Sequence, residues 1–254
     1  MFFGYRVIRD FIVTVALWTY YILGFLAFYS FFYLFAFWFS ADRERAFQRL
    51  NHRLHRSFFS LLRFLAPGVE WRISDEVRQI RSSVIVANHL SFLDPILFVS
   101  LFERQKTIVK SDYFHYPVFG WILRTSGNVP SLSEGLFSVA MIDQIKALED
   151  YLAGGGNLFI FPEGHRSRDG ALGTFDPGAF KIARLSRASS LKVVRIANTD
   201  RLFPPGRFLF NACNAFTIDV TLAGSLVPDY ENADFSLEGL MAEARSLLQE
   251  KAMP

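Results

Sequence analysis

Residues 83–95 read SVIVANHLSFLDP: an apolar run, a short polar turn, then Asp-Pro. Ser83 to Ala87 is β-branched and apolar enough for a buried strand, and Asn88 closes it. Asp94-Pro95 suits a helix start, because proline fits the first helical turn and pushes its predecessor out of the α region. Taken singly, Asp94 is a helix cap and His89 a histidine at a strand end. Taken together they allow something else. A strand-to-helix turn of this length can fold the carboxylate back onto one imidazole nitrogen and leave the other free, which is an oriented general base. On a single helix, five residues would set the two groups about 140° apart, so the turn has to join them.

Outward from this stretch, the chain beyond residue 68 alternates strand and helix. Strands are expected at 69–73, 83–87, 107–109, 157–161 and 191–197, with a later one within 215–220. Helices are expected at 95–103, 113–124, 136–153, 178–187 and 237–251. This pattern predicts an α/β fold, a mostly parallel sheet covered by helices, with its sites at the carboxyl ends of strands. NHLSFLD lies at one such end and FPEGHRSRDG, from residue 161, at another. In the second, Gly164 permits a tight turn, and Arg166 and Arg168 offer forks that match a phosphate or carboxylate. The bland alternative is a surface turn with solvated arginines. A third stretch, KSDYFHYPVFGWILRTSG, puts Lys110 ahead of an aromatic, apolar segment that reads as a core helix or a substrate groove.

Of the 254 residues, 51% are hydrophobic and 20% charged, enough to bury a full core and too few charges for disorder. The net charge of +3 is unevenly spread: residues 1–63 carry +5 and the remainder −2. A basic front end rich in phenylalanine suits an anionic membrane surface and not nucleic acid. The lone cysteine, Cys213, excludes a disulfide framework.

That front end contains no charge from Phe11 to Ala41. The run is too long and too aromatic for a secretory signal. Arginines flank both sides, and Gly24 divides it near the middle, so two short helices dipping into one leaflet are expected rather than one spanning helix. Phe47, Leu50, Leu54, Phe58, Leu61 and Leu65 then recur at helical spacing among arginines, an amphipathic basic helix that lies on lipid or packs on the domain. Pro67-Gly68 ends it. Residues 1–67 are therefore expected to form a membrane-anchoring hairpin with a basic helix, and residues 68–254 the α/β domain.

In order, these stretches resemble the PlsC-type lysophospholipid acyltransferase family, known for acylating 1-acylglycerol 3-phosphate. NHLSFLD matches its N-H-x-x-x-x-D box. FPEGHRS matches F-P-E-G-T-R-S, with His165 for the usual threonine, and the segment from Lys110 fits the block between them. FDPGAFKIA resembles the helix start that follows the third box, and the whole match runs from about residue 83 to 200. The resemblance implies His89 as general base on the acceptor hydroxyl, oriented by Asp94. It implies that Glu163, Gly164 and Arg166 hold the phosphate or glycerol end of the acceptor, with Lys110 as a phosphate contact and the face from Tyr113 to Leu123 along the acyl chains. The co-substrate would be an acyl thioester on acyl carrier protein or coenzyme A. No other cofactor and no metal is expected. The partners would be membrane lipids and a lysophospholipid, with the catalytic domain on the cytoplasmic face. Two departures touch the headgroup: GNVPSLS lacks the arginine the family carries in its middle block, and VVRIAN has Arg195 where a proline is usual.

Two rivals remain open from sequence. A lipid hydrolase would use Ser91 as nucleophile beside His89, although no G-x-S-x-G elbow occurs. A non-catalytic membrane-shaping protein would use only the front end.

Overall fold

The computed structural model describes residues 2–131 and 139–250. Its centre is the strand expected from SVIVA. β2 (Val84–Ala87) is buried at every residue, and its side chains alternate between two cores. Ile85 and Ala87 face one, Val84 and Val86 the other, which is the period of two of a strand covered on both sides.

Around it lie β1 (Val69–Ile73), β3 (Gln105–Val109), β4 (Val129–Pro130), β5 (Asn157–Ile160), β6 (Leu191–Ala197) and β7 (Phe216–Leu226). The sheet order is β1-β7-β6-β2-β5-β3-β4, and every neighbouring pair is parallel except β6 with β7. The parallel strands β6, β2, β5 and β3 therefore end at one edge. The first face of the sheet carries α3 (Arg43–Leu65) and α5 (Leu93–Leu101). The second carries α7 (Val139–Ala153), α8 (Pro177–Leu185) and α10 (Leu237–Glu250). The start expected for α7, residues 136–138, and the last residue expected for α10 lie outside the described residues, as does Ser133 of the GNVPSLS loop.

The front end differs from expectation in where it turns. α1 (Phe2–Thr19) continues through π-helical turns at Tyr20–Tyr29 into α2 (Ser30–Phe39), so the backbone stays helical across Gly24. One glycine costs a helix only about 1 kcal/mol, too little to break a run this apolar. The reversal comes at Ser40–Asp42, where the Asp42 carboxylate accepts from Arg45 N at 2.9 Å and starts α3. The hairpin thus pairs one long apolar helix with the basic amphipathic one.

Both arms are fastened to the domain. Val13 and Leu17 share a core with Phe58, Leu62, Ile85 and Phe98. Phe210 N donates to Thr14 Oγ1 and Cys213 N to Asp10 Oδ1, each at 2.9 Å. Farther along, the Tyr33 hydroxyl donates to Asn51 at 2.5 Å, and Phe37 and Phe47 meet Trp121 edge to face. The apolar stripe of α3 packs on α5 and the sheet, and Lys106 of β3 pairs with Glu44 at 2.8 Å. The outer face of α1 and α2 remains bare: Phe11, Ile12, Phe28, Phe31, Trp38 and Phe39 are all more than half exposed.

Candidate active site

The turn after β2 folds back on itself. α5 begins at Leu93 with Phe92 as its capping residue, so Asp94 already stands inside the helix and does not cap it. Its carboxylate points back over the turn instead. Oδ2 accepts from Leu90 N at 2.6 Å, from Ser91 N at 2.7 Å and from His89 Nδ1 at 3.0 Å. Oδ1 accepts from the Thr199 hydroxyl at 2.6 Å. Four donors around one fully buried carboxylate leave it a single role, that of acceptor. With Nδ1–H donating, the lone pair of the His89 imidazole resides on Nε2. Nothing among the described residues engages Nε2, and the side chain keeps 16% of its exposure.

The neighbouring strand locks this turn. Beyond β5, Phe161 stacks on the His89 ring with centroids 4.4 Å apart. Glu163 is buried: Oε1 accepts from His89 N at 2.9 Å and Oε2 from Gly173 N at 2.8 Å. Ser167 N donates to His89 O at 2.8 Å, so both main-chain groups of the histidine are held by the FPEGHRS turn. Gly164, at φ +65°, supplies the left-handed residue that this turn requires. From β6, Asn88 and Ile196 exchange two hydrogen bonds of 2.8 Å that extend the β2–β6 pairing by one side chain.

The two expected anion contacts stand at the same edge in another state. Lys110 follows β3 and Arg166 follows β5; both are exposed and neither has a polar partner among the described residues. Gly120, in the block after Lys110, is required because any Cβ there would strike the Phe114 carbonyl. Tyr113, Tyr116, Val118 and Phe119 of that block are exposed, while Leu123 is buried.

Ser91 is excluded as a nucleophile by position. It is fully buried, its hydroxyl donates to Phe203 O at 2.8 Å, and its oxygen accepts from Leu93 N. Thr199 was not foreseen. It lies 105 residues from Asp94 in sequence, and only the adjacency of β6 and β2 brings the two together. The sequence signal was a polar ANTD stretch directly after a buried strand.

At the carboxyl edge of the parallel strands, the His89–Asp94 pair has the geometry of an oriented general base. The acyltransferase family model matches residues 68–199, just over half of the chain, and the chain belongs to that family. Over 124 residues the chain is 35% identical to a chloroplastic 1-acyl-sn-glycerol-3-phosphate acyltransferase of Arabidopsis thaliana, covering 49% of this chain and 34% of that protein. A Chlamydomonas reinhardtii enzyme of the same name is 34% identical over 157 residues, covering 59% and 44%. One of Borreliella burgdorferi is 28% identical over 131 residues, covering 51% of each. The chain thus spans about a third to a half of the length of these relatives. The crystal structure of the 1-acyl-sn-glycerophosphate acyltransferase PlsC from Thermotoga maritima shares the fold, with a TM-score of 0.70 over 96% of both chains at 21% identity.

Proposed function

We propose that this protein is an O-acyltransferase that moves a fatty acyl group from an acyl carrier protein or coenzyme A thioester to the free hydroxyl of a lysophospholipid. The acceptor is 1-acyl-sn-glycerol 3-phosphate and the product phosphatidic acid. The observation that carries this reading is the His89–Asp94 pair, with Nδ1 bound and Nε2 open at the strand edge. The names of the relatives supply the acceptor.

In the reaction, His89 Nε2 takes the hydroxyl proton as the oxygen attacks the thioester carbonyl carbon. The tetrahedral intermediate collapses, the C–S bond breaks, and the imidazolium returns its proton to the leaving thiolate. Asp94 offsets the charge that His89 carries in between. Glu163 and Gly164 fix the main chain of the two turns. Arg166 and Lys110 take the acceptor phosphate, and the exposed aromatic face beyond Lys110 receives acyl chains.

The protein works on a membrane surface, with its catalytic domain on the cytoplasmic side where the thioesters are. Gly4–Phe39 contains an 18-residue window with a mean hydropathy of 2.0, of which only 17% is buried. It is tied to the domain at Asp10 and to α3 at Tyr33, which favours lying along the interface over crossing the bilayer. A panel of lysolipids assayed with both kinds of thioester tests the reading. Thioester-dependent acylation of the glycerol phosphate lysolipid is expected; consumption of no thioester with any lysolipid would defeat it, and preference for another headgroup would replace the acceptor.

A further inference from the structure

Four arginines share one groove at the edge of the sheet opposite His89. Arg56 and Arg63 come from α3, while Arg78 and Arg81 precede β2; with His52 and Glu103 they line a cavity of about 380 Å³. Glu103, the only carboxylate in that lining, is already paired with Arg49 at 3.2 Å. None of the four arginines pairs with a carboxylate among the described residues. Burial first, and the neighbouring Arg78 second, pull the Arg63 guanidinium below its ordinary value. Crowding like charges in this way is unfavourable unless an anion sits among them.

The side chains are also positioned. Arg78 Nε donates to Ile73 O at 3.3 Å, Arg81 Nη1 to Ile80 O at 2.6 Å, and the Arg63 guanidinium lies over the Trp71 ring at 5.4 Å. Each contact fixes a guanidinium and leaves other N–H groups free to bind. Converging planar forks match the oxygens of a phosphate group.

We propose that this groove is a second phosphate-binding site, occupied by the headgroup of a membrane phospholipid or by a small soluble phosphate. It is separate from the acceptor site, because Arg81 precedes β2 and His89 follows it, an extended span of roughly 20 Å. No single phosphate reaches both.

The test uses the full chain and two charge-matched double variants. Arg56→Gln with Arg63→Gln empties the groove, and Arg45→Gln with Arg53→Gln removes the same charge from α3 outside it. Thermal unfolding of both checks that they fold. Binding to phosphatidylglycerol vesicles is compared with binding to phosphatidylcholine vesicles, and inorganic phosphate is titrated into an Arg166→Ala background. The groove pair should lose about tenfold or more of the preference for the anionic vesicles, given roughly fivefold per cation near the surface, and the control pair distinctly less. If phosphate neither binds nor competes, the headgroup is the ligand. One-to-one phosphate binding that disappears with the groove pair identifies the soluble source. Equal losses in the two pairs without saturable phosphate binding would overturn the proposal, leaving only diffuse surface charge.

Discussion

The carboxyl edge of the sheet holds two kinds of polar side chain. His89, Asp94, Glu163 and Thr199 are tucked in and bonded to one another or to the main chain. Lys110 and Arg166 stand exposed, a few residues along the same strand ends, without polar partners among the described residues. On the proposed function, the first set is finished before substrate arrives and the second would gain its partners with a ligand. Buried polar groups are costly unless satisfied, so a set bonded this fully can hold one imidazole in one tautomer and orientation. Exposed cations cost little while unpaired, and on that reading they would set what binds. The contrast separates reaction from recognition, and mutations should divide the same way.

The largest effect is expected at His89. Replacing it with alanine should cut kcat on the order of 10²–10⁴-fold with the fold intact, measured by thioester consumption and thermal unfolding. Asp94→Asn should cost at least about 10²-fold, because an amide stabilises no imidazolium. An Asp94→Asn protein that is merely less thermostable would return Asp94 to a structural role.

Thr199 comes next. Thr199→Val removes one donor from the Asp94 carboxylate at nearly constant volume, and about a tenfold loss in kcat is expected. Thr199→Ser, which keeps the hydroxyl, should restore the rate. A kcat unmoved in the valine variant would detach Thr199 from the His89–Asp94 pair.

Arg166→Ala belongs to the other set. It should raise KM for an anionic lysolipid about tenfold and leave kcat and the thioester KM nearly unchanged. A loss in kcat alone would blur the division between the two sets.

The smallest effect concerns the packing of the front end. His55 of α3 is buried, bonded to Asn51 O at 2.7 Å and to the Tyr21 hydroxyl at 3.2 Å, and burial lowers its pKa to about 4. Its ordinary value is about 6.5, so the unfolded chain binds a proton that the folded one refuses. That contribution is complete above pH 6.5 and shrinks as pH falls toward 4. Melting temperatures should decline across this window, and His55→Gln should flatten the decline. A slope unchanged by the substitution would assign it to carboxylates.

What the sequence reveals follows the same physics. β1 and β6 were legible to the residue because their apolar alternation is bounded by turn residues. The His89–Asp94 contact was legible because a short turn after a strand that the pattern exposes can fold the carboxylate back onto the imidazole. β4 was not, since two residues pairing with β3 alone carry no period. The turn at Ser40–Asp42 was written in its Ser and Asp cap residues, but Gly24 is the more conspicuous breaker. Thr199 and the inward aim of Glu163 depend on which strands are neighbours, and strand order is a long-range property that no local pattern encodes.

The central claim is direct transfer, with His89 as base and no acylated protein on the way. Rapid-quench mixing of the protein with a labelled acyl thioester, with and without 1-acyl-sn-glycerol 3-phosphate, tests it most directly. The account predicts label only in lipid, only when the acceptor is present, and none with His89→Ala. Label recovered on the protein, at Ser91 or elsewhere, would contradict it.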